Sequence, residues 1–206
     1  KLKKKGMSFF FSDIVTISKF IKNGNFNKAN NYFNSTENRK YTPLQDLISQ
    51  IIFSWVKIEE SKLNYNEALE VFELINPKYK NIKNINNVFL NCYFDTANTE
   101  TKFKNLVDDK NTDFSRYAFF YANYLLKKDL TKKASLVLSK KLTDAPRNLL
   151  LNQFYLDIQQ NKPNHLKNNF DCKNVSNIIA ELFYITANAL STQGIYSQSN
   201  FYINLS

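Results

Sequence analysis

The feature that most constrains this chain is a two-helix pattern that returns about every 34 residues. In its first copy, Ile14, Ile17 and Ile21 have the spacing of one helix face, and Gly24 ends that helix. A small or apolar residue marks the middle of each second helix, at a fairly constant spacing: Ala29, Ala68, Phe103, Ala134, Leu166 and Ser199. A helical hairpin repeated in this way is typical of a solenoid, in which each hairpin buries its apolar face against the next.

The pattern predicts an all-α fold of about six hairpins in one continuous array. The second hairpin has the clearest start, because Thr42 can cap the helix and Pro43 suits its first position. The third and fifth hairpins are degenerate, and the fifth depends on a short helix around Leu166. The predicted units span residues 10–41, 42–80, 81–111, 112–146, 147–174 and 175–206.

Composition excludes most catalytic chemistry. The 206 residues include only three glycines, two cysteines and one histidine. Loops that bind phosphate need clustered glycines, whereas Gly6, Gly24 and Gly194 lie far apart. His165 lies in a polar turn, without a cysteine or an acidic residue nearby, and we interpret it as a solvated loop residue. We therefore expect no enzymatic activity, no cofactor and no metal site.

The two cysteines, Cys92 and Cys172, are far apart in the sequence, and each has apolar or aromatic neighbours. A disulfide would form only if the fold brought them together. We favour two buried free thiols, an interpretation that leaves the redox compartment open.

The formal net charge of +10 has two interpretations. A basic surface could bind nucleic acid or an anionic membrane. Nearly all the basic residues are lysine, however, and Lys, Asn, Ile, Phe and Tyr are abundant together, as an A/T-rich genome would produce. The lysine pairs at 127–128, 132–133 and 140–141 are accordingly interpreted as solvated helix faces. No apolar run approaches the roughly 20 residues of a membrane span.

The last hairpin carries the strongest family signal. Residues 180–196 resemble the consensus of the tetratricopeptide (TPR) family, with Phe183 in its tryptophan position, Ala187 in its small position and Gly194 in its turn. The fourth hairpin matches independently through Ala122, Leu125, Ala134, Leu138 and Pro146. The resemblance covers about four fifths of the chain. A strong final repeat after weak ones is also similar to a group of uncharacterised α-proteobacterial TPR proteins.

The resemblance implies a right-handed, non-catalytic solenoid that acts as a protein-binding scaffold. The first helix of each hairpin would line the concave surface and bind an extended peptide, with tyrosine and arginine anchors and amides that bond the peptide backbone. Outward positions also hold Glu60 and Glu181. The partner-binding candidates are Lys57, Arg116, Phe119, Asn123, Lys127, Tyr155, Gln159, Tyr184, Asn188 and Thr192. A carboxylate clamp, the TPR site that grips the C-terminus of a peptide, needs basic residues and asparagines in particular consecutive repeats. The basic residues and asparagines of this chain do not fall in that order.

A third interpretation is a structural segment that stacks on further repeats of its own protein. We expect the apolar side chains of the last helix to be exposed, which favours continuation past Ser206: Phe201, Tyr202, Ile203 and Leu205. Because the chain also lacks an initial methionine, we interpret it as a fragment of a longer protein. Its partner and compartment stay open, and a bacterial cytoplasm and periplasm are both compatible with the sequence.

Overall fold

The computed structural model describes residues 10–36, 38–162 and 170–206, and within these ranges it contains helices and turns but no β-strand. The predicted all-α class is confirmed. The helices are α1 (Phe10–Lys22), α2 (Phe26–Asn34), α3 (Pro43–Ser61), α4 (Tyr65–Glu73), α5 (Lys80–Tyr93), α6 (Thr99–Val107), α7 (Tyr117–Lys127), α8 (Thr131–Asp144), α9 (Leu149–Gln159), α10 (Val175–Thr192) and α11 (Tyr196–Ile203), with a 3-10 turn at Pro77–Tyr79. The short helix predicted around Leu166 lies outside the described residues.

A left-handed residue follows the first helix of each predicted hairpin. The residues with positive φ in the described part of the chain are Gly24, Lys62, Asp95, Asp129, Asn161 and Gly194. They recur roughly every 34 residues, which is the period of the predicted hairpin. After each one, the next backbone N–H donates to the carbonyl oxygen five residues earlier, at 2.8–3.2 Å. This is the bond of the Schellman motif, which satisfies a carbonyl at the helix end and turns the chain back.

Small residues lie where two helices meet. Ala29, Ala68 and Ala134, each in the second helix of a hairpin, are fully buried, as are Ala122 and Ala187 in the first helices. A larger side chain at these positions would push the two helices apart, since protein cores are close-packed. The role that the sequence predicts for these alanines, close approach of paired helices, agrees with their burial.

The helices form two compact units, and unit 1 contains α1–α4 with α10 and α11. Consecutive helices pack together, and α10 also packs against α1 and α3. The Ser176 hydroxyl donates to the Ile21 carbonyl at 3.3 Å. Tyr202 of α11 is 1% exposed, and its ring centroid lies 5.9 Å from that of Phe183. The expectation that the apolar residues of the last helix are exposed is therefore wrong for Tyr202, whereas Ile203 is exposed.

Unit 2 contains α5–α9 and the segment that ends at Lys173. Each of its helices packs against the next, and α9 also packs against α7. Phe103 of α6 is completely buried and stacks on Tyr121 of α7, with ring centroids 5.4 Å apart. Burial, with Glu100 as a further contributor, raises the pKa of Tyr121 to about 12. Tyr121 therefore stays neutral at physiological pH.

Substitutions at the left-handed turns should shift stability in opposite directions. Gly24→Ala is expected to lower the free energy of unfolding by about 1–2 kcal/mol, because a Cβ is disfavoured at positive φ. The loss would be purely conformational, since no atom lies within 4 Å of the added Cβ. Lys62→Gly is expected to raise the same free energy by about 0.5–1 kcal/mol, because its left-handed penalty exceeds the entropic cost of glycine. Urea denaturation measures both changes.

Lys57→Gly is the matched control for Lys62→Gly, because Lys57 is exposed in the middle of α3. It should lower stability by about 1 kcal/mol. If Lys62→Gly destabilised the chain to the same extent as Lys57→Gly, the left-handed conformation would not limit stability at this turn.

Candidate functional site

The candidate site in unit 2 is built on one face of α7. Arg116, Phe120, Asn123 and Lys127 follow one another at intervals of three or four residues, so they lie along one side of the helix. The Arg116 guanidinium carbon lies 5.4 Å from the centroid of the Phe120 ring, within the range of a cation–π contact. Phe89 of α5 extends this surface, with its ring 5.5 Å from that of Phe120 in an edge-to-face arrangement.

A segment of the chain itself lies on this surface. The ring of Phe170 is 4.4 Å from that of Phe120 and 5.0 Å from that of Phe89. Phe170 and Asp171 are not part of a helix. We call Phe170, Asp171 and Cys172 the docked segment, and we call Phe89, Phe120, Asn123 and Lys127 the docking surface.

Two polar contacts fix the position of the docked segment. The side-chain amide of Asn123, which is 2% exposed, donates to the carbonyl oxygen of Phe170 at 3.0 Å. The Lys127 ammonium lies 3.0 Å from a carboxylate oxygen of Asp171. The amide contact recognises backbone, whereas the lysine recognises charge. The surface therefore binds a short non-helical stretch of chain through features that another peptide could also present.

Cys92 and Cys172 form a disulfide, with their Cα atoms 5.9 Å apart. The prediction of two free thiols is wrong. Packing of Phe170 against both Phe89 and Phe120 accompanies a position of Cys172 beside the end of α5, where Cys92 lies three residues after Phe89. Both cysteines are buried, although Cys172, at 8% exposed, is more accessible than Cys92, at 2%. The bond covalently fixes the docked segment to the helix that provides part of its docking surface.

The charge of Asp171 depends on its surroundings. Burial by itself would raise the pKa of its carboxyl group. The hydrogen bond from the backbone N–H of Lys173 and the ion pair with Lys127 outweigh that effect, and the net result is a lowered pKa. The carboxylate is therefore ionised over the whole physiological pH range, and it remains available to Lys127.

The structure brings three of the partner-binding candidates to the docking surface or its edge: Arg116, Asn123 and Lys127. Phe119 turns the other way, with its ring 4.7 Å from that of Phe154 on α9. Tyr155 is half-buried on α9, whereas Gln159 is exposed and donates to the Ser135 hydroxyl at 2.7 Å. These last two candidates have no described contact with the docked segment.

The remaining candidates belong to unit 1. Lys57, Asn188 and Thr192 are exposed, and Tyr184 is half-buried. The hydroxyl of Thr192 donates to the Ala189 carbonyl of its own helix at 2.9 Å. Glu181, placed at an outward position by the sequence, is 4% exposed and therefore buried, as Asn123 is in unit 2.

Sequence reasoning missed the residues that complete the site: Phe89, Phe120, Phe170 and Asp171. The first two look like ordinary core aromatics in the helical pattern. The only available signal was the Phe-Asp-Cys triplet at 170–172, near the end of the fifth unit, where the sequence matches the repeat poorly. An aromatic, an acid and a cysteine in sequence indicate a tethered segment only once the partner of the cysteine is known.

Most lysines of the basic clusters have partners one hairpin earlier in the sequence. Lys128 pairs with Asp95, Lys133 with Glu100 at 2.5 Å, and Lys140 with Asp108 at 3.1 Å. The hydrogen bond and charge of Lys128 lower the pKa of Asp95 despite slight burial. The ammonium of Lys141 donates to the Val107 carbonyl at 3.0 Å. These pairings neutralise much of the positive charge that the sequence places around the fourth hairpin.

One of the buried carboxylates of unit 1 is also fully engaged. Asp13, at 2% exposed, accepts a hydrogen bond from the Tyr32 hydroxyl at 2.8 Å and forms an ion pair with Arg39. The hydrogen bond from Arg39 to Asp13 raises the pKa of Arg39, so the guanidinium stays charged. A carboxylate held in this way stabilises the packing around α1, because breaking such a pair leaves an uncompensated buried charge.

The described residues contain no helix that is both long and apolar enough to cross a membrane. Nor do the side chains in those ranges bring together three or more His, Cys, Asp or Glu residues around one point where a metal could bind. His165 lies outside the described residues.

No family model, curated protein or solved structure matches this chain. Its function therefore has to be inferred from the geometry of the docking surface.

Acid should weaken the hold on the docked segment. The pKa of Asp171 is lowered in the folded chain, so its stabilisation is fully present above the ordinary value of about 3.9. That stabilisation is lost as the pH falls through the lowered pKa. We expect the stability difference between the wild type and Asp171→Asn to be below about 1 kcal/mol at pH 6 and to vanish towards pH 2.

Urea denaturation at a series of pH values measures this difference. Asp144→Asn, at the exposed end of α8, is the control, and it should leave the pH dependence unchanged. A wild-type advantage that grew on acidification would show that the ion pair between Lys127 and Asp171 does not hold the segment.

Proposed function

We propose that this chain is a non-catalytic, TPR-like helical-repeat scaffold that binds an extended segment of a partner protein on the concave face formed by its first helices. The observation that carries the proposal is the docked segment. The surface of α5 and α7 binds it through a buried amide, an ammonium and two aromatic rings. Aromatic anchors together with hydrogen bonds to the backbone are the usual means of binding peptides.

Two structural regularities support the TPR-like part of the proposal. The left-handed turns recur roughly every 34 residues. Side-chain contacts within unit 2 also join residues one period apart, such as Lys133 with Glu100 and Asn148 with Ser115, each 33 residues apart. Contacts between equivalent positions of successive hairpins are expected when hairpins stack in register.

The alternative, a basic module for nucleic acid or an anionic membrane surface, rests on the net charge of +10. It has less support, because Lys127, Lys128, Lys133 and Lys140 all have carboxylate partners within the chain. A polyanion would have to replace these partners. Such binding would also weaken steeply as salt is added, owing to the loss of counterion release.

The test uses the variant Phe170→Ala/Asp171→Ala, which we call the open variant because it removes both side chains from the docking surface while leaving the cysteines in place. A phage library of random decapeptides is selected against it after dithiothreitol has reduced its disulfide, so that the Phe170 carbonyl is not held covalently beside the Asn123 amide. We expect peptides with micromolar dissociation constants, as is common for short segments. Between 50 and 200 mM salt, their affinity should change less than about threefold, against roughly 10³-fold for a ligand with many phosphate contacts.

The controls separate the two functions. Adding Asn123→Ala to the open variant should abolish peptide binding, whereas Lys132→Ala, at an exposed position on α8, should not. A 20-nucleotide single-stranded DNA and phosphatidylserine vesicles serve as polyanionic probes. Failure to select any peptide, or tight salt-sensitive binding of either probe, would contradict the scaffold proposal.

A further inference from the structure

The docked segment and the disulfide adjoin each other in the sequence. Phe170 and Asp171 provide the aromatic and acidic contacts, and Cys172 forms the covalent bond to α5. The side chains that recognise the segment, Asn123 and Lys127, belong to a different helix from Cys92. The polar contacts of the segment and its covalent attachment thus involve different helices, whereas Phe89 lies on the same helix as Cys92.

We propose that the docking surface is a binding site for a partner protein's extended segment in which an acidic residue directly follows an aromatic one, and that the Cys92–Cys172 disulfide closes the site by holding the chain's own segment there. This inference rests on the proposed function and adds the chemistry of the partner and the control of access. Reduction opens the site, and oxidation closes it.

The chemistry of the partner follows from the docked segment. Phe89 and Phe120 both pack against the aromatic ring of Phe170, with centroid distances of 5.0 and 4.4 Å. The Asn123 amide bonds the carbonyl of the aromatic residue itself, so a partner needs an accessible backbone there. Lys127, with its side chain 43% exposed, selects a carboxylate on the next residue. A peptide with the two residues in reverse order would place its charge away from Lys127.

The disulfide controls access through its effect on competition. A tethered segment competes at an effective concentration that depends on how tightly its ends are held. With the disulfide intact, Cys172 cannot move away from Cys92, so the segment has almost no freedom to leave. Without it, the ordinary polar and aromatic contacts alone retain the segment, and a partner at sufficient concentration displaces it.

Opening requires a dithiol reductant. One thiolate of the dithiol attacks the Cys172 sulfur, the more accessible of the two, and Cys92 leaves as a thiolate. The second thiol of the reductant then attacks the mixed disulfide and releases Cys172, while the reductant becomes a disulfide. Two electrons and, after protonation, two protons pass from the dithiol to the cysteines. Oxidation by a disulfide donor runs the same exchange in reverse.

The probe is a fluorescein-labelled hexapeptide, Phe-Asp-Ser-Lys-Asn-Val, which copies residues 170–175 with serine in place of cysteine. Its binding to three proteins is measured by fluorescence anisotropy. They are the oxidised wild type, Cys92→Ser/Cys172→Ser, which we call the serine variant, and the open variant with the same two serines, which we call the open serine variant. We expect no detectable binding to the oxidised wild type. The serine variant should bind at least tenfold more tightly than the oxidised wild type, and the open serine variant should bind most tightly of the three. Dithiothreitol should convert the wild type to the behaviour of the serine variant.

Charge exchange tests the specificity. Lys127→Glu in the serine variant should weaken the peptide about fivefold or more, and replacing the peptide aspartate by lysine should restore most of the loss. Lys132→Glu is the matched control and should have no effect. A peptide with its first two residues exchanged should bind no better than background. If circular dichroism shows that the serine variant is unfolded, the dithiothreitol-treated wild type provides the same comparison.

The failures are distinguishable. Binding to the open serine variant but not to the serine variant would leave the scaffold function standing and overturn the gating by the disulfide. Binding to neither would overturn the gating and count against the proposed function as well. A reduced protein that dimerised by exchanging its own segments, detected by light scattering, would show that the occupant is a second copy and would overturn the proposal of a foreign partner.

Discussion

The hairpins depend on one backbone interaction, the hydrogen bond that closes each left-handed turn. A single residue at positive φ lets the next N–H reach the carbonyl five residues earlier. The helix therefore ends at a fixed residue, and the second helix starts in a direction that allows it to fold back along the first. Buried alanines at the crossing complete the hairpin, because they permit close approach of the two helices.

The sequence predicts this architecture only in part, and the reason is visible at the turns. Gly24 and Gly194 could be recognised because glycine is the residue that most readily adopts positive φ. Lys62 adopts it as well, but lysine does not mark a turn in a single sequence. The all-α class and most helix positions followed from apolar spacing instead, which remains readable where the turn residue is not informative.

The site shows a similar division. Asn123 and Lys127 could be proposed because periodicity places both on one face of the helix. Their actual partner, the segment at Phe170 and Asp171, could not, because it lies outside the helical pattern and reaches α7 across 47 residues of sequence. The disulfide was missed for the same reason. Long-range contacts made by irregular segments leave no periodic trace, although here they define what the helical surface can recognise.

The covalent link between residues 92 and 172 has a mechanical consequence. The bond closes a loop with a sequence separation of 80 residues. If the chain were stretched from its two ends, the pulling force would pass through the sulfur–sulfur bond and the residues between would carry none of it. At roughly 3.4 Å per extended residue, about 270 Å of contour length would therefore not contribute to the extension of the oxidised chain. Reduction would expose that length to the load, so the redox state would set how far the chain can be drawn out.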